Sequence, residues 1–269
     1  LHLPDSHRRN QGGESSDRKD GNPGGGKTGT RQVTIITLLK KSTTAAAILI
    51  GIAGCLDAGE KPGSSPQPAV KLPPADTAGN IPLEKTIFTR RSVRSFSPAP
   101  LSISQASQLL WAAGGKTIDG ITGATRSYPS AGGIYPLEIY LAAGNITGLK
   151  PGIYRYRWET HTLERLESGD RRTEISRGAY GQNCLKEAPA IIIIVARTEK
   201  TASRYGSRGR KRYVAIDTGH AGQNIALQAR ALGLETVMVG AFNDGTIKSI
   251  LGIEAGTPYY LIPVGTKGQ

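Results

Sequence analysis

The run Ala190-Ile191-Ile192-Ile193-Ile194-Val195-Ala196 limits what this chain can fold into more than any other stretch. Isoleucine and valine branch at Cβ, which restricts χ1 and favours the extended backbone. The run does not alternate apolar with polar residues, so neither face of the strand can be left to water. A strand of this kind needs cover on both sides, and it is predicted to lie at the centre of a sheet between two further layers.

The segments around it supply those layers. Ser102-Ile103-Ser104-Gln105 has capping-box spacing, and Ile103, Ala106, Leu109 and Leu110 recur at helical intervals, which predicts a helix over 102–113 stopped by Gly114-Gly115. Strands are expected over 137–142, 153–158 and 162–166, the last two forming a hairpin because both alternate with period two around a polar turn. A short helix is expected over 171–180 and the longest helix over 214–232, ended by Gly233. A strand over 236–242, a helix over 243–251 capped by Asn243 or Asp244, and a strand over 258–264 complete the chain. Strands and helices come in mixed order, so the predicted class is α+β with one central sheet.

Not all of the chain reads as part of that fold. In residues 1–32, Leu1 and Leu3 are the only aliphatic side chains among Gly, Ser, Asn and charged residues, too few to offset chain entropy; this segment is expected to be disordered or a non-native extension. Residues 33–55 place Lys40-Lys41 before an apolar run ending in Ile52-Ala53-Gly54-Cys55, the layout of a secretory signal with a bacterial lipobox. The other reading of that run is a buried helix. Residues 56–80 are rich in Pro, Gly, Ser and Ala and read as a flexible linker, leaving 81–269 as the folded domain. Together these segments describe an exported protein held at the outer side of the cytoplasmic membrane by a lipid on Cys55, with a cytoplasmic location as the alternative.

Charge and cysteine count narrow the chemistry. Residues 1–80 hold ten Lys and Arg against seven Asp and Glu, so the remaining 24 against 14 give residues 81–269 an excess of ten. Such a surplus suits anionic small molecules, an anionic membrane or nucleic acid, without choosing among them. Cys55 and Cys184 with four scattered His give no metal-ligand spacing, and no metal is expected. His161 falls in a hairpin turn and is expected to be solvated, while His220, inside the long helix, is expected in the core.

Two short stretches carry ligand chemistry. Arg90-Arg91-Ser92-Val93-Arg94-Ser95-Phe96 sets guanidinium forks and hydroxyls close enough to hold a phosphate, although a solvated basic turn fits the same residues. Ser130-Ala131-Gly132-Gly133 can let backbone groups approach a flat ligand, or can simply turn the chain into the next strand. A third stretch, Arg197 to Arg212, is a basic loop holding Arg197, Lys200, Arg204, Arg208, Arg210, Lys211 and Arg212. It raises a rival from another class, a module that binds nucleic acid or an anionic surface. Only Tyr205 and Tyr213 lie nearby for base stacking, so no nucleic acid is expected.

Taken in order, the Arg90–Phe96 stretch, Arg126 to Glu138, Asp217-Thr218-Gly219-His220-Ala221-Gly222-Gln223-Asn224, Ala231 to Leu234 and Val239 to Phe242 resemble the nitroreductase superfamily. The likeness spans about residues 85 to 265 and is nearest to the branch of the azoline dehydrogenases of modified-peptide biosynthesis. The resemblance implies an α+β sandwich with a central, mostly antiparallel sheet flanked by helices, and a homodimer that binds FMN at its interface. It implies an FMN-dependent oxidoreductase that alternates a small-molecule electron donor, usually NAD(P)H, with an acceptor; an azoline-type peptide dehydrogenase is the alternative. A protein outside the cell meets little NAD(P)H, which keeps another donor open.

The same resemblance distributes roles. Arg90, Ser92 and Arg94 would hold the FMN phosphate and ribityl chain with Arg91 between them, and Lys267 is the one candidate for a further basic residue there. Ser130, Ala131, Gly132 and Gly133 would run along the flavin, and Gly240 would offer a backbone N–H near its reactive edge. Gln223 and Asn224 lie on the helix that resembles the family's dimer helix, whose small residues Gly219, Ala221, Gly222, Ala226 and Ala229 would allow close packing on a partner. Arg204 and Tyr205 stand where azoline-oxidising relatives carry a Lys-Tyr pair. Arg204 stays protonated, so it could bind an anion but would be a poor proton acceptor.

Overall fold

The computed structural model describes residues 69–120 and 123–269. The signal-like segment with Cys55, and most of the linker, lie outside the described residues.

The elements in chain order are β1 (Val70–Lys71), α1 (Leu83–Thr89), β2 (Leu101–Ser102), α2 (Ile103–Gly114), β3 (Lys116–Gly120), β4 (Gly123–Arg126), β5 (Leu137–Ala143) and β6 (Ile146–Thr147). Then come β7 (Gly152–Arg157), β8 (Thr162–Ser168), α3 (Arg172–Gly178), α4 (Asn183–Glu187), β9 (Ala190–Ala196), α5 (Thr198–Arg208), α6 (Val214–Ala231), β10 (Glu235–Thr236), α7 (Asp244–Leu251) and β11 (Thr257–Gly265). The main sheet runs β1-β8-β7-β5-β9-β11-β10, and every neighbouring pair is antiparallel.

The apolar run is β9, in the sheet's interior between β5 and β11, with all its residues buried. Its side chains divide by parity, as a pleated strand requires. Ile192 and Ile194 join Leu109 and Leu110 of α2 and Ala221 and Ile225 of α6 in one core. Ile191, Ile193 and Val195 join Ile175 of α3, Leu185 of α4 and Ile247 of α7 in the other. The result is a helix–sheet–helix sandwich of the α+β class. At the start of α2 the capping box forms as predicted: Gln105 N–H donates to Ser102 Oγ at 3.1 Å, and Ser102 N–H donates to Gln105 Oε1 at 2.9 Å.

Several expectations are corrected. The strand predicted over 236–242 stops at Thr236, leaving only an isolated pairing of Val239 with Leu261. The edge beyond Thr236 is taken by the arginine stretch, because Ser92 bridges Thr236 and Val93 N–H donates to its carbonyl at 3.1 Å. The basic loop is helix α5 followed by a π-helical turn, Gly209–Tyr213, that leads into α6. Arginine and lysine are good helix formers, and the two glycines that disguise the helix have local jobs. Gly206 kinks the backbone at φ 56°, and a Cβ on Gly209 would stand 2.5 Å from the Thr201 carbonyl oxygen.

His161 is not a solvated turn residue. Strand β1 pairs with β8 and carries Pro73 across the hairpin tip, where its carbonyl lies 2.8 Å from His161 Nε2. Nε2 also lies 2.8 Å from Ser107 Oγ, which donates to the same carbonyl at 2.6 Å, and Nδ1 lies 2.8 Å from Tyr156 Oη, so both ring nitrogens have partners. His220 is half-exposed rather than in the core. The small residues of α6 face inward: Ala221 and Ala229 pack in the core with α2, and a Cβ on Gly222 would already touch the Tyr260 ring at 3.3 Å. Only Gly219 of that set is exposed, so the stripe serves the chain's own packing rather than a partner's.

Burial on both faces sets a stability order that can be measured. Ile193→Ala should cost about 2–5 kcal/mol, against about 0.5–2 kcal/mol for loss of the cap in Ser102→Ala. Chemical denaturation of the two variants should preserve that order, and a smaller loss at Ile193 would contradict the two-core arrangement.

Candidate functional site

The arginine stretch is held as an added strand. Ser92 pairs beside Thr236 of β10, and Phe96 bridges Lys267 in antiparallel fashion. Ser97 N–H donates to Thr266 O at 3.0 Å, and Gly268 N–H donates to Ser95 O at 2.9 Å. Phe96, 6% exposed, anchors the stretch in the second core. This lacing brings Lys267, from the far end of the sequence, opposite Phe96, two residues beyond Arg94. Arg94 is exposed and Arg90 half-buried, and among the described residues neither they nor Ser92 or Lys267 give their side chains to a hydrogen bond or ion pair. Burial pushes the Cys184 thiol pKa up, and the charge on Arg94 pulls it partly back.

Arg91 has a different place from its neighbours. Its Nη1 donates to the carbonyls of Phe88 at 2.9 Å and Arg90 at 2.8 Å, so the guanidinium closes the end of α1. That commits one guanidinium nitrogen to the backbone, while Nε and Nη2 make no hydrogen bond or ion pair among the described residues.

The second cluster surrounds the glycine loop. Gly132 and Gly133 adopt φ 62° and 66°, the left-handed region that favours glycine. Ser130 Oγ donates to Asp217 Oδ2 at 2.6 Å and accepts from Tyr135 N–H at 2.9 Å, while Ala131 N–H donates to Asp217 Oδ1 at 3.4 Å. Asp217, in the first turn of α6, thus ties the loop to the helix. Arg204 Nη1 donates to the Gly132 carbonyl at 3.3 Å. A Cβ on Gly132 would lie 2.5 Å from Tyr205 Oη, so α5 sits directly over this glycine. The Tyr205 ring meets Tyr213 edge-on at 5.0 Å. Tyr213 lines a cleft of about 230 Å³ with Ser130, Ala131, Ile216, Asp217 and His220.

Two residues of this region stood inside recognised motifs without an assigned role. One is Asp217. The other is Arg126, 6% exposed, whose Nε donates to Gly114 O at 2.6 Å and Nη1 to Leu137 O at 3.0 Å. It lies against the rings of Tyr128, Tyr135 and Trp158 and fastens both ends of the 127–136 segment. A charged residue amid aromatic ones was the available signal, but nothing local shows it to be buried. The remaining predicted residues are more loosely placed: Gln223 is exposed on α6, Gly240 is exposed beyond the Val239 bridge, and Asn224 Nδ2 donates to Ser127 O at 2.7 Å.

Helix α6 separates the two clusters. Asp217 in its first turn holds the glycine loop, and Arg230 in its last turn bonds Thr89 Oγ1, next to Arg90, and pairs with Glu235. From residue 217 to 230 at the helical rise is about 20 Å. Among the described residues no hydrogen bond or ion pair joins the clusters.

Asp217 gives the loop a pH signature. It is 2% exposed, and burial raises its pKa while the bonds from Ser130 and Ala131 and the charge of His220 pull it back. The folded protein therefore holds this proton more tightly than the unfolded chain does. The contribution to stability is full below the ordinary value of 3.8 and is lost as pH rises through the raised folded value. Asp217→Asn keeps an acceptor for Ser130 and should flatten that decline in unfolding midpoints measured from acid to neutral pH; an unchanged slope would assign the decline elsewhere.

Residues 87–266 match the model of the Nitroreductase family. A Methanocaldococcus jannaschii protein named for the nitroreductases is 41% identical over 187 residues, covering 70% of this chain and 92% of that protein. The trifolitoxin operon protein TfxC of Rhizobium leguminosarum bv. trifolii is 24% identical over 191 residues, or 66% of this chain, which spans about half (54%) of that relative's length. A chain of the E. coli microcin synthetase McbBCD complex, solved with truncated pro-MccB17 bound, shares the fold with a TM-score of 0.58 at 23% identity, covering 78% of this chain and 77% of that one. The matched span takes in the arginine stretch, the glycine loop and α5, and the chain belongs to the nitroreductase family of oxidoreductases.

Proposed function

We propose that this protein is an FMN-dependent oxidoreductase that moves electrons between a small-molecule donor, NAD(P)H or another reductant, and an acceptor. The observation that carries this reading is that strand pairing lays Ser92 beside Thr236 and Lys267 opposite Phe96, two residues beyond Arg94, while among the described residues no acidic side chain pairs with Arg90, Arg94 or Lys267. Unpaired cations beside a free hydroxyl fit a phosphate dianion. The positive-φ glycines of the second cluster fit a flat ring system, because they present backbone rather than side chains. When bound, FMN accepts electrons from the donor and passes them to the acceptor.

The chain's own residues set the conditions for that exchange. Arg90 and Arg94 bind the phosphate, with Lys267 as a third charge. Asp217, through Ser130, holds the loop at a fixed height over α6. Arg204 presents a permanent positive charge at Gly132, and Tyr205 Oη beside it can hold or release a proton. A peptide dehydrogenase of the azoline type is the second reading, favoured by this Arg204-Tyr205 placement over the loop. Arginine in the place of lysine leaves Tyr205 as the group there able to exchange a proton.

The separation of the clusters along α6 favours a homodimer, in which one copy's phosphate residues and the other's glycine loop build each of two equivalent sites. An apolar face supports it: Leu83, Ile87 and Phe88 of α1 are 59%, 55% and 74% exposed. Such a face on a single chain loses free energy to water unless it is covered.

Two measurements test these statements. Fluorescence titration should show Arg90→Ala and Arg94→Ala weakening FMN about 10- to 150-fold, the loss of one charge-assisted hydrogen bond or pair of bonds, with riboflavin nearly indifferent. Equal FMN affinity in wild type and both variants would return the stretch to a solvated turn. Sedimentation should show a dimer carrying one flavin per chain, and Phe88→Glu should yield monomers that lose it. A monomer retaining stoichiometric flavin would overturn the shared site.

A further inference from the structure

The last residue of α5, Arg208, and the π-helical turn after it, with Arg210, Lys211 and Arg212, present four exposed cations, and among the described residues none of them has an ion-pair partner. The one acidic residue of this segment, Glu199, is taken by Arg197. The turn's two feet both stand on the candidate site. Tyr205 abuts Gly132, Tyr213 lines the cleft with Ser130 and Asp217, and the two rings pack against each other edge-on. Gly209 closes the turn against the Thr201 carbonyl, where no side chain fits. The charges are therefore mounted on a braced structure rather than on a loose tail, which lowers the ordering cost of binding.

We propose that this turn is a docking surface for the acidic stretch of a peptide substrate, which it holds while another part of the peptide reaches the Gly132 loop. The proposal rests on the reading of that loop as the redox site. A small anion is poorly served here, because the four cations stand on an exposed turn and a single exposed ion pair in water is worth little. A chain with several carboxylates engages them together, and the second and later contacts become intramolecular. Arg208 and Arg212 stand four residues apart, close to one repeat of the π-helical backbone, so successive carboxylates can meet neighbouring charges. Nucleic acid is disfavoured, since Tyr205 and Tyr213, the two aromatic residues of this segment, are half-buried and packed edge-on against each other rather than set out as a row of exposed rings for base stacking.

The test uses the full chain loaded with FMN and a fluorescein-labelled peptide of alternating Glu and Ser, followed by fluorescence anisotropy. A Gln-Ser peptide and an oligothymidine of equal length serve as controls. The Glu-Ser peptide should bind, the Gln-Ser peptide should not, and affinity should fall as salt rises from about 50 to about 200 mM. Arg210→Glu/Lys211→Glu/Arg212→Glu should weaken it about tenfold or more, the loss of three exposed ion pairs, while the visible flavin spectrum stays unchanged. Equal affinity in wild type and variant, or oligothymidine binding tighter than the acidic peptide, overturns the docking surface. A protein that binds no FMN overturns the cofactor reading instead, and the anisotropy still decides the docking.

Discussion

The burial of β9 on both faces is the constraint on which the rest of the molecule depends. Its isoleucines serve two separate cores, so the sheet must be covered by α2 and α6 on one side and by α3, α4 and α7 on the other. Once α6 is pressed against the sheet by Ala221, Ile225 and Ala229, its two ends become fixed points. One carries Asp217 beneath the glycine loop, and the other carries Arg230 beside α1. Both candidate clusters are thus set by one helix, and the helix is set by one strand.

A second consequence concerns charge. The chain does not neutralise its cations where they gather. Arg126 is buried against aromatic rings and backbone carbonyls, and its pKa is lowered by that burial. Arg91 closes a helix, and Arg197 pairs with Glu199 and Glu138. Those arginines are structural. Those without a partner among the described residues, half-buried Arg90 with exposed Arg94 and Lys267 at one place and exposed Arg208, Arg210, Lys211 and Arg212 at another, are open to an anion that comes from outside. Partnership, rather than residue type, separates the structural cations from those left without a partner among the described residues.

The Arg204-Tyr205 pair shows how a helix can serve a site made by a loop. Arg204 donates to the Gly132 carbonyl, and Tyr205 stands where a side chain on that residue would be. Glycine is required there for two reasons: its φ is positive, and the tyrosine hydroxyl occupies the space of a Cβ. The kink at Gly206 and the π-turn at Gly209 then send the chain back into α6, so that Tyr213 returns to the same cleft.

The sequence by itself determined what depends on neighbours along the chain. The β-branched run, the capping box at Ser102, the hairpin, the glycine stop after α6 and the α+β class all follow from local propensity and periodicity. The family motifs also marked Arg90, Ser92, Arg94, Gly132, Gly133, Arg204 and Tyr205. Only the tertiary structure decided what depends on residues far apart. It cut the strand at Thr236, because the arginine stretch takes that edge. It turned His161 from a solvated residue into a half-buried anchor, because Pro73 crosses the hairpin. It turned the small residues of α6 inward, and it joined Lys267 to Phe96 and Asp217 to Ser130. Pairing across a sheet and burial against a distant helix leave no periodic trace in the residues that undergo them, which is why composition and spacing could not disclose them.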